Sequence, residues 1–153
     1  MQVSTLCYIK HEGQTLMLHR IKKDKDVHKG KYNGLGGKLH AGETPEECVI
    51  REVKEESGLE IRALRLCGVM TFPEFKDQED WLVFLFTATE FAGDLIECNE
   101  GALQWVPDEK LLSLHLWEGD KHFLTWLNEG KFFSAKFCYK DGSLINHSVK
   151  FYD

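Results

Sequence analysis

The chain lacks any hydrophobic stretch long enough to cross a bilayer. Its strongest apolar run, Trp81-Leu82-Val83-Phe84-Leu85-Phe86, is only six residues long, whereas a helical span needs about 20. Between Met1 and Gly13 no basic segment leads into an apolar one, so no secretory signal is read there and a cytoplasmic location is expected. Cysteine shows no pairing pattern: Cys7, Cys48, Cys67, Cys98 and Cys138 are odd in number and contain no Cys-x-x-Cys. Free thiols in a reducing compartment are expected, rather than disulfides or a zinc site. Prolines number three, and repeats, low-complexity tracts and linkers are missing, so residues 1–153 read as one domain. Positive charge is not in excess either. The net charge of −6 disfavours a nucleic-acid polymer or an anionic membrane as partner. A monomer is expected, with a dimer left open.

What is present is an aromatic-rich globular sequence of 153 residues, with ten Phe and four Trp to build a core. Val3 to Ile9 reads as a strand, with Thr15 to Arg20 as its hairpin partner across Glu12-Gly13. A basic, turn-rich loop runs from Lys22 to Asn33, and Gly34-Leu35-Gly36-Gly37 belongs on a strand edge or in a tight loop. Thr44-Pro45-Glu46-Glu47 opens a helix as N-cap, first-turn proline and capping box, and Gly58 stops it. Val49, Ile50 and Val53 form its expected apolar stripe. Ala63 to Phe72 and Trp81 to Thr89 read as strands joined by a polar connection from Pro73 to Asp80, and Leu103 to Val106 as a short strand. A helix follows over Leu116 to Asn128, then a hairpin of Phe132–Tyr139 and Ser143–Phe151 across Asp141-Gly142. Strands outnumber helices in mixed order, so the class is α+β or α/β with a mixed sheet.

Chemistry concentrates on the first helix. Glu52, Glu55 and Glu56, at i, i+3 and i+4, share one helix face, and each like-charge contact of this kind on an exposed helix costs about 0.2–0.5 kcal/mol. A solvated face normally alternates signs. Three clustered carboxylates without zinc-type His or Cys partners suit a hard divalent cation, Mg²⁺ with Mn²⁺ as a substitute. The neighbouring glycines allow backbone to approach a ligand closely, although the loop has neither P-loop nor dinucleotide-binding spacing. Charge is organised locally. Arg20 to Lys38 carries seven basic residues against two acidic ones, and Glu43 to Glu60 seven acidic against two basic. A basic glycine loop for phosphates thus adjoins an acidic helix for cations.

Gly37, five residues, Glu43, seven residues, and then Arg51-Glu52-Val53-Lys54-Glu55-Glu56-Ser57-Gly58-Leu59 resembles the Nudix box without a mismatch. The resemblance implies the Nudix fold, a mixed sheet in an α/β/α sandwich, and hydrolysis of a nucleoside diphosphate linked to another group. It also implies metal-binding or base roles for Glu52, Glu55 and Glu56, a backbone carbonyl ligand from Gly37, and an ion pair of Glu43 with Arg51 that ties loop to helix.

Outside the box, Lys29 to Lys38 and Thr5-Leu6-Cys7-Tyr8 resemble MutT-type members that destroy oxidised purine nucleoside triphosphates. Leu116 to Phe151 resembles their animal counterparts, with a Trp-x-x-Asp helix start followed by Gly-Lys-Phe-Phe and a hairpin. This wider likeness implies a small-molecule nucleotide substrate such as 8-oxo-dGTP, cleaved to monophosphate and pyrophosphate. Asn33 and Asp120 would read the purine edge, Trp117 would wall the base, Glu100 would add an acidic metal ligand, and Lys38 would meet phosphates, as would Lys22 or Lys23. Met70, Phe72 and Phe84 are core residues that could also line the cleft. One departure is Gly119, where the animal enzymes have a second acid; narrower acceptance of oxidised adenine nucleotides is expected. General nucleoside triphosphates, ADP-ribose and dinucleoside polyphosphates stay open as substrates, as does a non-catalytic ligand sensor. An isomerase of prenyl diphosphates lacks its cysteine-and-acid constellation.

Overall fold

The computed structural model describes all 153 residues. Eight strands form one mixed sheet: β1 (Gln2–His11), β2 (Gln14–His19), β3 (Tyr32–Asn33), β4 (Glu60–Lys76), β5 (Glu79–Ala92), β6 (Ala102–Pro107), β7 (Phe132–Lys140) and β8 (Ser143–Tyr152). Their order is β3-β2-β1-β5-β4-β7-β8, with β6 paired to β2. β1 runs parallel to β5 and β4 parallel to β7, while β4–β5, β7–β8 and β1–β2 are antiparallel. Helices α1 (Pro45–Ser57) and α2 (Glu118–Leu127) complete the fold, with a 3₁₀ turn at Asp108–Ser113. No helix is long and apolar enough to cross a membrane.

Strand alternation puts the two helices on opposite faces. Cys7, Ile9, Leu16, Leu18 and Phe86 pack with Val49 and Val53 of α1. Their chain neighbours Tyr8, Met17 and Leu85 pack with Phe123 and Leu124 of α2. A strand buried on both faces gives an unbroken apolar run, as in β1 and β5. The arrangement is the expected mixed sheet between helical layers. All five cysteines are free; four are buried and Cys138 is partly exposed.

α1 starts with a complete capping box: Glu47 N–H donates to Thr44 Oγ1 at 3.1 Å and Thr44 N–H to Glu47 Oε1 at 2.9 Å. Gly58 ends it in the left-handed conformation, φ 82°. Ile50 departs from the expected stripe. It is 41% exposed, and Cys48 and Ser57 complete the buried face with Val49 and Val53.

The expected polar connection from Pro73 to Asp80 is instead the end of a long hairpin. β4 continues to Lys76 and turns back through Asp77 and Gln78, both at positive φ. A register shift between Phe72 and Lys76 absorbs Pro73, which cannot donate to a ladder. The bulge brings Phe75 into the cleft. At the other end of the chain, α2 begins at Glu118 with Trp117 as its N-cap residue, so Trp117 stands outside the helix.

Candidate active site

β1 and β2 pair only near their turn, at Lys10–Thr15 and His11–Gln14. Nearer its start, β1 accepts the glycine segment as a partner. Cys7 and Leu35 exchange hydrogen bonds at 2.6 and 3.0 Å, and Thr5 N–H donates to Gly37 O at 2.9 Å. This pairing fixes which way each glycine faces. Gly37 O also accepts from Thr5 Oγ1 at 3.2 Å and, from α1, Cys48 Sγ at 3.4 Å, so it lies between β1 and the helix. Gly36 faces the acids, its N–H donating to Glu56 Oε1 at 2.9 Å. Gly36 has φ 152°, and a Cβ there would overlap Thr5 O, so no side chain can take this position. Gly37 still matters by its smallness, since a Cβ would lie 2.5 Å from Glu52 Cδ.

Arg51 is the hub of the acidic end. It binds Glu43 through Nε at 2.7 Å and Nη2 at 3.1 Å, Glu52 through Nη1 at 2.9 Å, and Glu55 at 3.2 Å. Nη2 also reaches Lys38 O at 3.3 Å, fastening the loop to α1. Hydrogen bonds from Arg51, then from His40 N–H, hold the Glu43 carboxyl down to about 2. Arg51 thus engages two of the three helix acids, Glu52 and Glu55, and leaves Glu56.

Glu56 and Glu100 line the same cleft. Burial first, opposed by the Gly36 N–H and reinforced by the facing Glu100 and Glu52 carboxyls, pushes the Glu56 carboxyl up to about 9. Glu100 is approached by Lys23 Nζ at 3.5 Å and Arg20 Nη1 at 3.8 Å. The donor set consists of oxygens only, and its mutual repulsion and desolvation are what a hard divalent cation relieves; the residues fit such an ion.

The cleft encloses about 290 Å³. Its far end is aromatic, with Met70, Phe72, Phe75, Trp117, Phe123 and Tyr139 joined by Asn33 and Asp120. Phe84 packs instead among the α1-side residues. Trp117 is 8% exposed and Asp120 7%. The Trp117 Nε1–H donates to His28 Nδ1 at 2.8 Å, and the ring meets Phe75 and Tyr139 edge-on at 5.1 and 5.3 Å. Asn33 Oδ1 and Trp81 Nε1 are buried polar atoms without partners, and both residues line the cleft. Burial pushes the Asp120 carboxyl up to about 8, opposed by Lys31, so at neutral pH it is largely protonated and can donate as well as accept.

The two ends belong to one cleft, and each of Glu56, Glu100, Asn33, Trp117, Asp120 and Lys38 contributes to its lining. Lys38 lies over the Trp81 ring, 5.1 Å from its centroid. Lys22 is engaged elsewhere, with Cys98 O at 2.7 Å and Glu97 at 3.1 Å, and Glu55 and His40 do not line the cleft. Tyr139, Phe75, His28, Arg20 and Asp26 were missed by sequence reasoning. Only Arg20 carried a signal, as one end of the basic block. The others reach the cleft through a bulge, a loop and a β-hairpin.

Residues 1–127 match the family model described as the NUDIX domain. The Nudix hydrolase YvcI of Bacillus subtilis is 32% identical over 136 residues, covering 86% of this chain and 82% of that protein. The oxidized purine nucleoside triphosphate hydrolase of Danio rerio is 30% identical over 141 residues, covering 92% and 88%. Among solved structures, the MutT protein of Bacillus halodurans superposes with a TM-score of 0.88 at 28% identity, over 98% of each chain.

Proposed function

The chain belongs to the NUDIX domain family as a hydrolase of MutT type, and from that premise we propose that it cleaves an oxidised purine nucleoside triphosphate, such as 8-oxo-dGTP, to the monophosphate and pyrophosphate with Mg²⁺. The observation that carries this reading is the single cleft that joins facing carboxylates at one end to an aromatic pocket with unpartnered polar groups at the other. A triphosphate needs the first and a purine the second. That the zebrafish relative bears the name of an oxidized purine nucleoside triphosphate hydrolase supports the same substrate class.

Glu52, Glu55, Glu56 and Glu100 would hold the cation, with the Gly37 carbonyl as the main-chain ligand. When bound, the ion neutralises phosphate oxygens and lowers the pKa of water. Lys38 and Arg20 meet phosphate charge at the rim. Asn33 and Asp120 read the base edge, and Trp117 supplies the flat wall. Discrimination is strong in such a pocket because a wrong edge leaves buried polar groups unpaired. Glu56, the helix acid that lines the cleft, takes the proton of the attacking water, with Glu55 and the loop acid Glu100 as competing bases. Glu43 and Arg51 position the loop and helix without touching substrate. We further propose that residues 1–153 act as one domain. The β7–β8 hairpin lies beyond the matched residues, yet it extends the sheet from β4 and sends Tyr139 into the cleft.

The test is a steady-state comparison of 8-oxo-dGTP, dGTP, 2-hydroxy-dATP, ADP-ribose and diadenosine tetraphosphate with Mg²⁺. A clear preference for 8-oxo-dGTP in kcat/KM, with pyrophosphate released, is expected. Equal turnover of 8-oxo-dGTP and dGTP would remove the oxidised-base reading, and a preference for one of the last two compounds would move the substrate to another nucleoside diphosphate derivative.

A further inference from the structure

Gly119 and Tyr139 form a fitted pair across the pocket wall. Gly119 N–H donates to the Tyr139 hydroxyl oxygen at 2.7 Å. A Cβ on Gly119 would lie 2.7 Å from that oxygen and 2.8 Å from Phe137 Cδ1. The space that a side chain at 119 would need is therefore filled from β7 by a phenol. The Tyr139 ring is held by edge contacts to Phe75, with centroids at 5.5 Å, and to Trp117, at 5.3 Å. With a lone pair engaged by Gly119, the hydroxyl has its own proton left to offer, and no protein group accepts it. Across the same cleft, Asn33 Oδ1 is a buried acceptor without a donor.

We propose that Tyr139 is a specificity-determining residue, its hydroxyl donating to a carbonyl oxygen of the base while Asn33 Oδ1 accepts a ring N–H, so that the pocket selects oxopurines over aminopurines. The proposal rests on the reading that the base occupies the aromatic end. An exocyclic amine at the same place would set a donor against the hydroxyl proton, whereas a carbonyl oxygen accepts it. Gly119 is then the counterpart of Tyr139 rather than a lost acid, because the hydroxyl takes over the polar position that a side chain there would supply.

The experiment compares 8-oxo-dGTP and 8-oxo-dITP, which carry a 6-carbonyl with and without the 2-amino group, with 8-oxo-dATP, which carries a 6-amine, for the wild type and Tyr139→Phe. The wild type is expected to favour the 6-oxo nucleotides. Tyr139→Phe is expected to raise KM for the 6-oxo nucleotides by about tenfold, keep kcat within about twofold, and leave KM for 8-oxo-dATP unchanged or lowered. An unchanged ratio of kcat/KM overturns the role of Tyr139 while leaving nucleotide hydrolysis in place. If the wild type hydrolyses none of these compounds, the reading of the site falls and the proposal with it. Melting temperatures give a second readout. Gly119→Ala should destabilise the wild type more than it destabilises Tyr139→Phe, and additive losses would overturn the fitted pair.

Discussion

Arg51 binds three carboxylates with one guanidinium, and the acid it leaves free is Glu56, which turns into the cleft against Gly36 N–H. Glu56→Gln should lower kcat by about 10²–10⁴-fold with an unchanged far-ultraviolet dichroism spectrum; near-normal turnover would pass the base to another residue. Asp120 carries a pH dependence of known sign. Its folded pKa is raised by burial to about 8, above the ordinary carboxyl value, so the folded state binds the proton more tightly. Its contribution is fully present below pH about 4 and is lost as pH rises through about 8. Melting curves of Asp120→Asn should fall less across that interval than those of the wild type, and parallel curves would contradict the assignment. The helix acids were legible because i, i+3, i+4 spacing puts them on one face whatever surrounds the helix. That the Gly36 N–H meets Glu56 was not legible, since it depends on how the glycine segment pairs with β1.

At the scale of elements, α1 is specified locally. Thr44, Pro45, Glu47 and Gly58 supply cap, first turn, box and stop, and each acts within four residues of its own position. Thr44→Ala should cost about 1 kcal/mol of unfolding free energy, read as a lower urea midpoint with an unchanged m value. The β4–β5 hairpin behaves differently. Pro73 and the polar residues after it read as a connection, yet the strands continue around a bulge to a turn at Asp77-Gln78. Packing against neighbouring strands overrode local propensity there. Ile50 marks the same limit in α1: the helical period places it near the stripe, and only the docking of α1 on β1 and β4 decides that it stays outside.

Over the whole molecule, the net charge of −6 conceals a basic block and an acidic block adjacent in sequence, and the fold brings Arg20 and Lys38 of the first and Glu56 of the second to the lining of one cleft. Mg²⁺ is expected to raise the melting temperature of the wild type in proportion to the logarithm of its concentration above Kd. In Glu56→Gln this rise should shrink, and a shift of equal size in both proteins would place the ion elsewhere. Chelation with EDTA should abolish turnover and reverse the stabilisation. By itself the sequence determined the acidic helix, its caps and the mixed α and β content, because these depend on helix geometry, short-range hydrogen bonding and hydrophobic periodicity. Only the tertiary structure decided that Gly36 faces the acids, that Phe75 and His28 join the pocket, and that Tyr139 fills the space beside Gly119. Those outcomes depend on strand register and on contacts between residues far apart in the chain, which no local pattern encodes.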